Sequence, residues 1–315
     1  MLNTKIQTVC GEIRPDQLGY CQMHEHIFVR HTPAAVSNPA LCFDNEEKSI
    51  KELQDYYSNG GRTIIDAQPW SAGRDIRVLA RLSQASGVQI VASTGYHLLI
   101  FYSTDHWIHF ADMHQLTDLF IRELTTGAEC QNLKIITPDL RAGIVKAAIP
   151  AEGPVGRYEI LLRSAAQAAA VTGVPLLIHT EKGKNAIPAV QVCKEEGMQT
   201  ERIVICHADR QAENLVYHEA IAETGVYLDY DTIHRLAYHD DQQECELISH
   251  MIGAGYGNRL LLSLDTTAKR LRSYGGGIGL DYILTTFLDQ LKTFGVSAEN
   301  LQLMVNENPM RVFTQ

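Results

Sequence analysis

Residues 142–179 read AGIVKAAIPAEGPVGRYEILLRSAAQAAAVTGVPLLIH, and their pattern decides the fold. An apolar, β-branched run at 142–147 is followed by an Ala-rich amphipathic stretch at 156–172. That stretch stops at Gly173, as helices commonly do, because glycine adopts the left-handed conformation of a C-terminal cap without steric cost. A second apolar run follows at 174–178. Neither run alternates apolar with polar residues, which is the pattern of strands covered on both faces and therefore parallel. The stretch reads strand–helix–strand. Each run also carries a polar residue where water is far away: Lys146 inside the first and His179 at the end of the second.

The same unit recurs in both directions. Candidate strands lie at 18–23, 62–67, 88–94, 202–206, 226–229 and 260–264, which with the first two makes eight. Helical stretches at 46–59, 74–86, 184–196, 211–224 and 278–294 each end at a glycine. Strand and helix repeating eight times predicts an α/β fold, a single (β/α)8 TIM barrel spanning 1–315, with a doubly wound open sheet as the alternative. No linker-like tract or internal sequence repeat divides the chain.

Composition narrows the function. The 315 residues carry 27 Lys+Arg against 37 Asp+Glu, a net charge of −10, which argues against a general nucleic-acid or anionic-membrane binder. Seven cysteines are scattered and never spaced CxxC, the pattern of free thiols in a reducing compartment. The start lacks a basic segment followed by an apolar run, and the charge-free stretch from Leu82 to Thr104 is too polar for a membrane span. The expectation is a cytoplasmic protein with neither a nucleic-acid nor a membrane partner.

All C-terminal strand ends of a barrel meet on one face, where the active site lies. Strand 1 ends in His24-Glu25-His26, strand 4 carries Lys146, strands 5 and 6 end at His179 and His207, and strand 8 ends at Asp265. Each alone has an ordinary reading: a polar strand end, a core histidine bonded to a carbonyl, a snorkelling lysine, a helix N-cap. Together they point to a metal centre. His24 and His26, two apart on a strand, share a face and can chelate one ion. A buried lysine must pair, lose its proton or snorkel. A neutral amine that has reacted with carbon dioxide gives a carbamate, whose two oxygens can bridge two ions. Asp265 can ligate an ion and accept a proton. The other histidines are read as surface residues, with His97 a candidate for pocket lining.

These residues, with the flanking GEIRPDQLGYCQMHEHIF, RAGIVKAAI, TGVPLLIHTEKG, RIVICHADR and NENPMRVF, resemble the amidohydrolase superfamily and within it the phosphotriesterase family, which includes lactonases. The resemblance covers nearly the whole chain. It implies a binuclear centre at the C-terminal face of the strands. His24, His26 and Asp265 would hold the more buried ion and His179 and His207 the more exposed one. Carboxylated Lys146 and a hydroxide would bridge the two; some relatives have Glu at the Lys146 position. Two divalent ions are implied. Mixed nitrogen and oxygen ligands suit zinc, with manganese or cobalt as substitutes. The family often forms homodimers, and a homodimer is an expectation on that ground alone.

Substrate choice in barrels lies in the loops after the strands. The loop after strand 8, TTAKRLRSYGGGIGLDY, brings Lys269, Arg270, Arg272 and Tyr274. The strand 7 loop brings Arg235, the strand 5 loop Lys182 and Lys184, and the segment after strand 3 Tyr96 and His97. Arginine forks match phosphate or carboxylate oxygens, so cations around one mouth point to a small anionic substrate, against the alternative of a solvated basic helix start. Arg272 and Tyr274 are the first candidates for substrate contact, followed by Arg235, Lys182 and Tyr96. The resulting expectation is a hydrolase opening a phosphorylated or otherwise anionic sugar lactone. The alternatives are hydrolysis of phosphotriesters or neutral acyl lactones, and, in another class, a catalytically silent ligand-binding barrel.

Overall fold

The computed structural model describes residues 5–130, 135–137 and 139–314. Eight parallel strands form one sheet in sequential order: β1 (Cys21–Glu25), β2 (Thr63–Asp66), β3 (Gln89–Gly95), β4 (Ile144–Ile149), β5 (Leu176–Thr180), β6 (Ile203–Cys206), β7 (Tyr227–Tyr230) and β8 (Leu260–Leu262). The sheet curls until β8 meets β1, giving the expected barrel. Side chains complete the seam. The Ser263 hydroxyl accepts from the backbone N–H groups of Met23 and His24, at 2.9 and 3.0 Å. The Glu25 carboxylate accepts from Leu264 N and from the Thr266 hydroxyl, both at 2.7 Å.

The period of two along each strand separates two cores. Met23, Ile65, Val91, Ile144, Leu177, Val204, Tyr227 and Leu261, one from each strand, form a cluster with Val312 and Phe313 from the C-terminal helix Asn308–Thr314. This is the filled barrel interior. Intervening residues such as Ile64, Ile90, Val145, Ile178, Ile205 and Leu228 belong to the larger core between strands and helices. Lys146 follows Ile144 by two, and His179 follows Leu177 by two, so both side chains point into the barrel one layer above the apolar plug.

Outer helices follow the strands: α1 (Glu46–Ser58), α2 (Ile76–Ser86), α3 (Met113–Thr125), α4 (Arg157–Thr172), α5 (Ala186–Glu195), α6 (Leu215–Glu223) and α7 (Asp241–Gly253), and after β8 a π-helical turn, Ile283–Phe287, running into α8 (Leu288–Thr293). α3 and α7 were not among the helical stretches read from the sequence, although Gly127 and Gly255 follow their C-caps as Gly60 follows that of α1. Their N-terminal ends are marked as well: Asp112 with Gln115, and Asp240 with Gln243, form reciprocal capping boxes. β1 begins later than read and runs through His24. Among the described residues no helix is long and apolar enough to cross a membrane, and the six cysteines whose side chains are described are free.

Candidate metal centre and its cavity

The six polar residues from the strand ends converge. Lys146, on β4, is fully buried, and its Nζ lies 3.0 Å from His24 Nε2. Asp265 Oδ1 lies 3.3 Å from His26 Nε2 and 3.9 Å from His24 Nε2. One donor atom each from His24, His26 and Asp265 falls within a 4.8 Å sphere, the span over which three ligands can share an ion. On the other side His207 Nε2 faces His179 Nδ1 at 2.7 Å. The His24 and His207 rings, 4.9 Å apart, join the two halves.

Asp231, just past β7, sets the orientation of both halves. Its Oδ2 accepts from His24 Nδ1 at 2.8 Å and its Oδ1 from His207 Nδ1 at 2.6 Å. Each imidazole therefore keeps its proton on Nδ1 and turns a lone pair on Nε2 inward, the tautomer a metal ligand needs. Burial, followed by the charge of Lys146, pushes His24 down to about 3. Burial, followed by Arg210, pushes His207 down to about 4. Both rings are neutral near pH 7.

His179 shows whether the residues fit a metal pair. Its Nδ1 faces the His207 Nε2 lone pair, and its Nε2 lies 3.0 Å from Glu181 Oε2. A neutral imidazole has one proton and cannot donate to both. Burial and the surrounding cationic groups hold His179 well below its ordinary value, so a second proton is disfavoured. A cation between His179 and His207 resolves the conflict. The donor set fits.

His207 and Asp265 have φ of 68° and 48°, a left-handed conformation that costs a non-glycine residue energy and tends to persist at functional sites.

A cavity of about 740 Å³ opens above the centre, lined by His26, His179, Asp265, Arg210, Arg235, Lys269 and Arg270 on its polar side and by Val29, Phe43, Leu98, Phe101 and Leu236 on its apolar side. Arg235 is where the sequence placed it. It holds Asp265 Oδ2 at 2.5 Å and the Asp265 carbonyl at 3.1 Å. Arg210 reaches the same Oδ2 at 3.2 Å. Against burial, which raises it, the charge of Arg235 and the hydrogen bond with His26 hold the Asp265 carboxyl well below the usual carboxylate range. Arg270 anchors to the carbonyls of Ile233 and His234, at 2.6 and 3.2 Å. His97 also lines the cavity, stacked on Phe101.

Four of the expected substrate contacts lie elsewhere. The Arg272 guanidinium is half exposed and pairs with Asp281. The Tyr274 hydroxyl is engaged by Asn45 and Ser49 at the start of α1. Lys182 sits in a left-handed turn outside the cavity lining, and Tyr96 is wholly buried below it. The loop after β8 doubles back, so of its cations Lys269 and Arg270 face the cavity. Asp231, Arg210 and Glu181 were not singled out from the sequence. Asp231 had a legible signal: in LDYD, Asp229 and Asp231 alternate onto the barrel-facing side.

A family model described as the phosphotriesterase family matches residues 4–313. The chain belongs to the phosphotriesterase family. It is accordingly a metal-dependent hydrolase acting on ester bonds, in a family that works with two metal ions. A phospho-furanose lactonase of Mycoplasmopsis synoviae is 30% identical over 328 aligned positions, covering 99% of this chain and 92% of that protein. A solved lactonase of Listeria monocytogenes superposes with a TM-score of 0.90 at 28% identity, covering 98% of this chain and 99% of that one. The phosphotriesterase homology protein of Escherichia coli, solved with phosphate in its active site, gives 0.86 at 25% identity, covering 95% and 100%.

Proposed function

We propose that the protein is a lactonase for a phosphorylated or otherwise anionic sugar lactone. His24, His26 and Asp265 would hold one divalent ion, and His179 Nδ1 and His207 Nε2 the other. Lys146, carboxylated, would bridge the two. Zinc is the first choice for this mixed nitrogen and oxygen set. When bound, such ions supply hydroxide at neutral pH and polarise the ester carbonyl as Lewis acids.

The chain's own residues do the rest. Asp265, held ionised between Arg210 and Arg235, is the acceptor for the proton released by the attacking nucleophile. It can return that proton to the ring oxygen that leaves. Asp231 keeps the two imidazoles in the ligating tautomer. The apolar wall formed by Leu98, Phe101 and Leu236 excludes water beside the sugar ring.

One observation carries the anionic substrate: Arg210, Arg235, Lys269 and Arg270 line a single cavity. Their charged donors match an anion's oxygens. Two relatives point the same way, one a phospho-furanose lactonase and one solved with phosphate in its active site.

The test compares kcat/KM of the zinc-loaded protein for a 5-phosphorylated pentonolactone and for the same lactone without phosphate. A preference of a hundredfold or more, about 2.7 kcal/mol of transition-state binding, is expected. Equal rates would assign the cavity to neutral lactones or organophosphates instead.

A further inference from the structure

A second group of metal-ligating side chains lies outside the centre just described. Asp209 is in the turn after β6, His239 in the loop after β7 and Glu244 in the first turn of α7. All three are buried, Asp209 and Glu244 completely. One donor atom from each falls within 4.8 Å of the others.

Their hydrogen bonds are incomplete in one direction. Asp209 Oδ2 accepts from Thr232 N at 2.6 Å, but Asp209 Oδ1 has no partner among the described residues, and His239 is the one partner found there for the Glu244 carboxylate. His239 Nδ1 lies 3.2 Å from the Asp240 carbonyl, which can only accept, so Nδ1 carries a proton. Its Nε2 lies 3.0 Å from Glu244 Oε2 and 3.1 Å from the Thr232 hydroxyl. Against the effect of burial, Glu244 holds His239 up at about 9, so a proton on Nε2 can pair with Glu244. That proton leaves Asp209 Oδ1 without a donor, whereas a divalent ion among the three donor atoms would replace it and serve both carboxylates. His239 also lines a separate cavity of about 320 Å³ with Asn214 and Gln243, which provides an approach from outside the catalytic cavity.

We propose that Asp209, His239 and Glu244 form a third cation site, separate from the catalytic pair, that binds a divalent first-row transition ion such as zinc. One imidazole with two carboxylates suits zinc or manganese better than calcium or magnesium, which favour all-oxygen shells. The site ties the β7 loop and the start of α7 to the turn after β6. Arg210 follows Asp209, and Arg235 lies in the loop that ends at His239, so the ion fixes the two arginines that grip Asp265. The inference does not depend on which lactone is hydrolysed.

The experiment loads the full-length protein with zinc, removes the excess, and measures zinc per chain together with anomalous diffraction at the zinc edge. The expected result is an anomalous peak among the three side chains and one more zinc per chain than in Glu244→Gln or His239→Asn protein, whose catalytic peaks remain. No peak there while the catalytic centre is loaded, or unchanged zinc content in the variants, would overturn it and leave a protonated His239 as the only counter-charge. If a variant does not fold, the wild-type diffraction decides alone. Zinc missing from the His24–Asp265 centre but present at the third site would count against the proposed function and not against this site.

Discussion

Asp231 does the most to turn six strand-end residues into a ligand set, since it fixes the Nδ1 protons of His24 and His207 at once. Burial then lowers the two rings to about 3 and about 4. A free imidazole titrates near 6.5, and protons compete with metal for its lone pair. With both values lowered, that competition begins only in stronger acid. The zinc content of the His24–His207 centre is therefore expected to be the same at pH 5.5 as at pH 7.5. Release of this zinc near pH 6, as ordinary histidines would give, would contradict the lowering of the two rings by burial. The candidate ligands were legible because their chemistry is out of place: Lys146 and His179 interrupt runs that are otherwise apolar. Arg272 and Tyr274 were misplaced because their types fit an anion site while their direction depends on Asp281 and Asn45, distant partners that no local pattern reveals.

At the scale of elements, β3 and β4 are forced together beside the centre. Gly95 has φ of 96°, and a Cβ added there would stand 1.9 Å from the Lys146 carbonyl oxygen. That oxygen also accepts from Tyr96 N at 2.9 Å, so it cannot retreat without loss. Gly95→Ala is expected to destabilise the fold by roughly 2–4 kcal/mol, from steric overlap and an unfavourable left-handed alanine. Urea unfolding measures it, and an unchanged midpoint would show that the strands part easily. The helices show what a terminus signal can and cannot do. α4 and α2 end on left-handed glycines, Gly173 and Gly87, and were bounded closely from the sequence. α3 and α7 also have a glycine just past the C-cap, Gly127 after Thr126 and Gly255 after Ala254, but these marks were not used in the reading.

The whole molecule carries a net charge of −10 yet gathers Arg210, Arg235, Lys269 and Arg270 around one cavity above a buried ligand cluster. A barrel makes this possible, because its strands end on one face wherever they fall in the sequence. The strand count and the polar strand ends were enough to read that architecture. The loops that shape the cavity were not, since their course is set by tertiary packing. The central claim is that hydrolysis belongs to a metal centre built from His24, His26, Lys146, His179, His207 and Asp265. The most direct test strips the protein of metal with a chelator, removes the chelator, and follows turnover of a phosphorylated lactone before and after zinc or manganese is returned. The account predicts background turnover in the stripped protein and recovery with the metal. Turnover by the stripped protein at the rate of the loaded one would contradict it.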